Sequence, residues 1–257
     1  MPKIVFITGA TAGFGEACAW KFAANGYDLI LNGRRKDRLE TLANELEKKY
    51  NVAVLQLPFD VRDQQAVATA IQSIPGNWQQ ITILINNAGL ALGRDYFDEA
   101  DLEDWNTMID TNIKGFLYVA KAVSQLMVAR GASTGSAGHI INMGSIAGKE
   151  VYEKGNVYCA TKFAVDAISQ SMRIDLLRHG IKVTSVNPGA AETEFSLVRF
   201  KGDETTAKKI YDGLKPLEAG DVAEIIFYCA SLPAHVCIND LSITCLQQAN
   251  TIYYNRV

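Results

Sequence analysis

The sequence predicts an α/β protein in a single domain, a doubly wound parallel sheet with helices on both faces. Short apolar runs alternate with helical stretches of ten or more residues along the whole chain, a pattern that demands repeated right-handed crossovers. The 257 residues suffice to bury one large core, and no linker rich in Pro, Gly and Ser, nor any internal repeat, divides them. A glycine-rich turn sits where the first strand feeds the first helix, the position at which such sheets bind ligands.

Taken in order, Lys3–Thr8 reads as a strand and Phe14–Asn25 as a helix ended near Gly26. Tyr27–Asn32 is a second strand, followed by the charged amphipathic helix Lys36–Tyr50. Val52–Leu57 is a third strand, and Asp63–Ile74 a helix with Asp63 as its cap. The continuous apolar run Ile81–Ile85 is the pattern of a strand covered on both faces. Helices over Leu102–Asn112 and Ile113–Arg130 precede the strand His139–Met143, and Gly131–Gly138, poor in bulky residues, reads as a surface loop. A helix beginning near Tyr158, the strand Lys182–Val186, the helix Asp221–Ala230 and a short strand at Leu241–Thr244 complete the pattern.

Charge and cysteine content exclude several functions. A net charge of -3 supplies no basic field for nucleic acid and no polybasic patch for a membrane. The apolar strand begins at Ile4, which leaves no room for a signal peptide, and no run reaches the roughly 18 apolar residues of a spanning helix. The five cysteines form no CxxC pair and the three histidines no ligand cluster, so disulfides and metal are not expected. The cysteines read as small buried hydrophobes in a reducing, cytoplasmic compartment.

Thr8-Gly9-Ala10-Thr11-Ala12-Gly13-Phe14-Gly15 follows the first strand directly. Glycines there permit a tight turn and close backbone approach to a pyrophosphate, and the following helix directs its positive end at the phosphates. The combination predicts a Rossmann-type dinucleotide site. An acidic residue at the end of the second strand would bond the ribose 2′-OH of NAD and repel a 2′-phosphate. Here that strand ends Asn32-Gly33-Arg34-Arg35, with no carboxylate before Asp37. Two guanidiniums can hold a phosphate through charge-assisted bonds, so the expected cofactor is NADP(H).

Tyr158 and Lys162 lie four residues apart and share a helix face. A phenol ionises near a pKa of about 10, and a neighbouring ammonium brings it closer to working pH. Ser145, just after the strand His139–Met143, can hold a substrate oxygen.

Together these motifs resemble the short-chain dehydrogenase/reductase superfamily over nearly the whole chain. Thr8–Gly15 matches its TGxxxGxG, Asn86-Asn87-Ala88-Gly89 its NNAG, and Pro188-Gly189 its PG motif. Asn112, Ser145, Tyr158 and Lys162 match its catalytic tetrad in order and spacing. The resemblance implies that Tyr158 is the acid/base, that Lys162 lowers its pKa and binds the nicotinamide ribose, and that Ser145 positions the reacting oxygen. It further implies that Asn112 holds a helix kink and a water that relays protons. Asp60-Val61 correspond to the pair beside the adenine, and Thr193 to the residue that bonds the carboxamide. Gly144 departs from the family, many members of which carry a second serine there.

Longer stretches resemble the NADP-dependent 3-hydroxy acid dehydrogenases, also described as serine or L-allo-threonine dehydrogenases. These include Gly155–Tyr158 (GNVY), Thr193–Ser196 (TEFS), Val198–Asp203 (VRFKGD) and Leu232–Val236 (LPAHV). Glu153-Lys154, in a stretch normally small or Gly-rich, and the tail Gln247–Val257 depart from that pattern. The resemblance implies a homotetramer with a substrate loop around 190–215, acting on small 3-hydroxy acids. A carboxylate substrate needs a cation, and Arg199 within VRFKGD is the first candidate, with Lys149 and Arg94 as rivals. The alternatives are a general carbonyl reductase, including 3-oxoacyl-carrier-protein reduction, and an idle NADP(H)-binding regulator. The first would favour a basic surface, and the second would have no need of the intact tetrad.

Overall fold

The computed structural model describes residues 3–134 and 138–257. Seven parallel strands form one sheet: β1 (Ile4–Ile7), β2 (Asp28–Gly33), β3 (Val54–Pro58), β4 (Ile81–Asn86), β5 (His139–Met143), β6 (Lys182–Pro188) and β7 (Asp240–Ile243), in the order β3-β2-β1-β4-β5-β6-β7. The order reverses between β1 and β4, which pair directly with Ile7 beside Ile85. Loops leaving these two strands therefore diverge and open a crevice at their C-terminal ends.

The two-residue period of a strand divides the core. Val5 and Ile7 of β1 face one layer with α1 (Gly13–Ala23), α2 (Lys36–Tyr50) and Ala219–Ser231. Ile4 and Phe6 face the opposite layer with α3 (Gln64–Gln72) and Phe116–Thr134. All four residues of β1 are buried, so each contributes about 1.5–3 kcal/mol of hydrophobic stabilisation.

Local chemistry explains the boundaries. Helix α2 spans the predicted residues and stops at Asn51, whose φ of 54 lies in the left-handed region that Asn tolerates. Asp63 caps α3 by accepting from the Ala66 amide at 2.9 Å. The predicted pair of helices after β4 is α4 (Leu102–Ile109) and α5 (Phe116–Thr134), joined by one π-helical segment at Asp110–Gly115. Two corrections follow. Gly131–Thr134 continues α5 instead of opening a loop, because the backbone ladder persists past the expected end, while 135–137 lie outside the described residues. The stretch after β6 also holds two short helices that apolar periodicity did not reveal, α7 (Glu194–Arg199) and α8 (Glu204–Lys209). Helix α6 (Asn156–Leu176) carries the Tyr-Lys pair, and α9 (Ala219–Ser231) precedes β7. Among the described residues no helix is long and apolar enough to cross a membrane.

Candidate active site

A cleft of about 920 Å³ opens above the C-terminal ends of β1 and β4. Thr8 ties its two banks together: the Oγ1 accepts from the amides of Asn87 and Ala88, each at 2.9 Å, and its carbonyl accepts from Asn87 Nδ2 at 2.8 Å. Gly9 and Gly13 take φ of +65 and +55, and a Cβ on Gly15 would stand 2.3 Å from the Gly9 carbonyl. This backbone cradle at the start of α1 lets a pyrophosphate approach the main chain closely. Thr11, Phe14, Asp60, Val61, Gly89, Pro188, Gly189 and Thr193 line the same cleft.

The arginines after β2 divide their work. The side chain of Arg34 is 60% exposed in the cleft, its nearest carboxylate being Asp60 at 3.9 Å. Asp60 in turn is gripped by Arg62 at 2.6 Å, so Arg34 can take a phosphate. Arg35 instead turns its fork onto the Thr11 hydroxyl and onto Glu194.

The four predicted catalytic residues converge. Asn112 lies in the π segment, where its Oδ1 accepts from the Leu90 amide at 2.9 Å and its Nδ2 donates to the Leu90 carbonyl at 2.7 Å. The same Nδ2 reaches Thr161 Oγ1 at 3.1 Å, so Asn112 joins the loop after β4 to α6. Lys162 is 6% exposed and donates to the Met143 carbonyl at 2.9 Å. Burial lowers its pKa from 10.5 to about 8. Tyr158 hydrogen-bonds Ser145; burial pushes the phenol well above its ordinary range, while that bond and the charge of Arg199 pull the other way. The Lys162 ammonium stands 5.9 Å from the Tyr158 ring centroid. The arrangement presents a neutral phenol and a serine hydroxyl to one point, which suits proton delivery to a carbonyl oxygen. Gly144 has a plain steric cause: an added Cβ would lie 2.0 Å from Asn187 Oδ1.

Of the three candidate cations, Arg199 is 7% exposed. Its guanidinium donates from Nε to the Gly93 carbonyl at 3.2 Å and from Nη1 to the Tyr152 hydroxyl at 2.9 Å. It stands 5.5 Å from the Tyr158 ring centroid and has no carboxylate partner among the described residues. Arg94 is exposed and lies 5.9 Å from the Tyr152 ring. Lys149 drops out, since Asp166 and Asp240 neutralise it at 2.7 Å each and it does not line the cleft.

Several cleft residues escaped sequence reasoning. Tyr152 supplies the hydroxyl beside Arg199, and buried Thr111 has an Oγ1 without a hydrogen-bond partner at the cleft wall. Gln248 accepts from the Ala190 amide at 2.7 Å and donates to the Tyr254 hydroxyl at 2.9 Å, which brings the divergent tail to the cleft. Lys154 adopts φ 61, a left-handed conformation that favours glycine, and its ammonium sits 4.0 Å from the Tyr96 ring, whose hydroxyl bonds Glu153.

Comparison with known proteins agrees with this geometry. The short chain dehydrogenase family model matches residues 3–203. Sulfoacetaldehyde reductase 2 of Chromohalobacter salexigens is 47% identical over 97% of this chain and 96% of its own. NADP-dependent 3-hydroxy acid dehydrogenase YdfG of Salmonella typhi is 46% identical over 96% of both chains. A solved closed form of serine dehydrogenase complexed with NADP+ superposes with a TM-score of 0.90 at 44% identity, covering 99% of each chain. The chain belongs to the short-chain dehydrogenase family. It is an NADP-dependent oxidoreductase with the Rossmann-like fold of that family.

Proposed function

We propose that the enzyme moves a hydride between NADP(H) and the C3 carbon of small 3-hydroxy acids or their 3-oxo counterparts, of the L-serine, L-allo-threonine and 3-hydroxypropionate type. One observation carries this: Arg199 is a buried guanidinium without a carboxylate partner among the described residues, 5.5 Å from the ring of Tyr158. A buried charge is costly unless paired, so the cleft is built to receive an anion. The Tyr152 hydroxyl accepts from Arg199 and has its own proton to offer the same anion.

NADP(H), held by the glycine cradle, Arg34 and the residues lining the cleft, supplies the hydride donor or acceptor. The protein's own residues supply position and protons. Ser145 holds the substrate oxygen and Tyr158 gives a proton to it in reduction or takes one in oxidation. Lys162, with its buried ammonium, favours the phenolate and binds ribose hydroxyls. Asn112 fixes the π turn through Leu90, and by the family resemblance it would hold a proton-relaying water beside Lys162. Helices α7 and α8, inside the substrate loop 190–215, cover the site and deliver Arg199. The homotetramer implied by the family resemblance, and the cytoplasmic location read from the cysteines, belong to this reading.

A second reading is favoured by Arg94, a further guanidinium near Tyr152, and by the name of the 47% identical relative. A sulfonate in place of the carboxylate would use the same seat. Arg199→Ala tests both. It should lower kcat/KM for 3-hydroxy acids or a sulfonate by about tenfold or more, the order expected from losing one charged pair. Turnover of an uncharged secondary alcohol and affinity for NADPH should hardly change. An unaltered kcat/KM for every anionic substrate would remove Arg199 from the site.

A further inference from the structure

Arg35 does not stand free beside the cofactor cleft. Its Nε and Nη2 reach Thr11 Oγ1 at 3.2 and 3.0 Å, and Nη2 also reaches the Thr11 carbonyl at 3.1 Å. Its Nη1 reaches one oxygen of Glu194 at 3.0 Å, while Arg38 Nη1 holds the other at 2.7 Å. Glu194 opens α7, directly after Thr193, whose Cβ lies 3.4 Å from where a Cβ on Gly13 would be. The glycine-rich loop, the start of α2 and the cap over the site therefore meet at one carboxylate. The other end of α7 is pinned across the cleft, where the Gly93 amide donates to the Arg199 carbonyl at 3.0 Å and Lys201 pairs with Asp104 at 2.9 Å.

We propose that Glu194 is a positioning residue: it bolts α7 over bound NADP(H) and limits how fast the cofactor leaves. The pyrophosphate cradle lies beneath Thr193 and Glu194, so the cap has to lift before the cofactor can depart. Arg38 does not line the cleft, which leaves it, with Arg35, able to keep hold of Glu194 when a 2′-phosphate draws on Arg34. The partners are each two-fifths or more exposed, and exposed ion pairs are individually weak. Such a bolt can open within a catalytic cycle, as a cap that gates release must.

The test is release of NADPH from the whole protein without substrate, followed by stopped-flow fluorescence after displacement with excess NADP⁺. Glu194→Gln and Arg38→Ala should each accelerate release about threefold to fivefold, and the double variant should be no faster than the faster single one. Wild-type release should quicken with added salt more than that of Glu194→Gln. Single variants within about twofold of wild type, or two effects that multiply, would overturn the proposal. So would a fall in the melting temperature of the cofactor-free chain that tracks the release rate, since that marks general loosening. No substrate enters the assay, so its outcome is separate from that of the 3-hydroxy acid reading.

Discussion

Replacing Lys162 by methionine should stabilise the cofactor-free protein while abolishing turnover. The side chain is buried, its ammonium bonds the Met143 carbonyl at 2.9 Å and no other acceptor among the described residues, and its pKa falls from 10.5 to about 8 through desolvation. That fall corresponds to about 3 kcal/mol by which folding disfavours the charged form. Methionine keeps an unbranched apolar stem but forfeits the hydrogen bond, which offsets about 1 kcal/mol. A net gain of about 2 kcal/mol raises the melting temperature by several degrees in a chain of this size. The pH dependence has a definite sign. Below pH 8 both states carry the proton and the cost is full; between about 8 and 10.5 the unfolded chain binds more protons, so wild-type stability rises with pH. Thermal melts of both proteins at pH 7 and at about pH 9.5 are the assay. The variant should melt higher at neutral pH, by a margin that shrinks in the alkaline sample. A lower melting temperature at pH 7, or a margin that does not shrink, would refute the reasoning.

Three further outcomes are expected. Tyr158→Phe should retain less than about a tenth of wild-type kcat in initial-rate assays, with NADPH affinity by fluorescence titration nearly intact, because only the proton-carrying oxygen is lost. Arg34→Ala should raise KM for NADP⁺ by about tenfold and spare the weaker reaction with NAD⁺, whereas Arg35→Ala, which also frees Thr11 and Glu194, should impair both. Equal losses for Arg34→Ala with the two cofactors would contradict that division. Gly144→Ser should lower the melting temperature by the equivalent of about 1–3 kcal/mol, since its Cβ would meet Asn187 at 2.0 Å, and an unchanged melt would show that the strand ends yield freely.

Much of the site was legible because its requirements are local. Gly9, Gly13 and Gly15 answer to a turn and a close approach within seven residues, and Tyr158 and Lys162 to one helical turn. The strands were legible because both faces of the sheet are covered, which writes each as an apolar run such as Ile81–Ile85. What escaped depends on partners distant in the chain. Lys149 stood as a rival to Arg199 until the fold brought Asp166 of α6 and Asp240 of β7 against it. Arg35 looked equivalent to Arg34, yet Thr11 and Glu194 claim its fork. Tyr152 carries no local signal, since its role exists only once Arg199 lies beside it. Helices α7 and α8 are too short for periodicity, although Thr193 and Asp203, each followed by a glutamate, are capping signals that could have revealed them.

The central claim, an anion-recognising NADP-dependent alcohol–carbonyl oxidoreductase, is tested most directly by initial rates of the wild-type enzyme. The panel is L-serine, D-serine, L-allo-threonine, 3-hydroxypropionate, 3-hydroxyisobutyrate, 2-hydroxyethanesulfonate and an uncharged secondary alcohol, each with NADP⁺ and with NAD⁺. The account predicts that NADP⁺ is preferred throughout. It also predicts that at least one 3-hydroxy acid exceeds the uncharged alcohol in kcat/KM by about tenfold or more, as one charged pair to Arg199 would give. An uncharged alcohol turned over as well as every anionic one would contradict it.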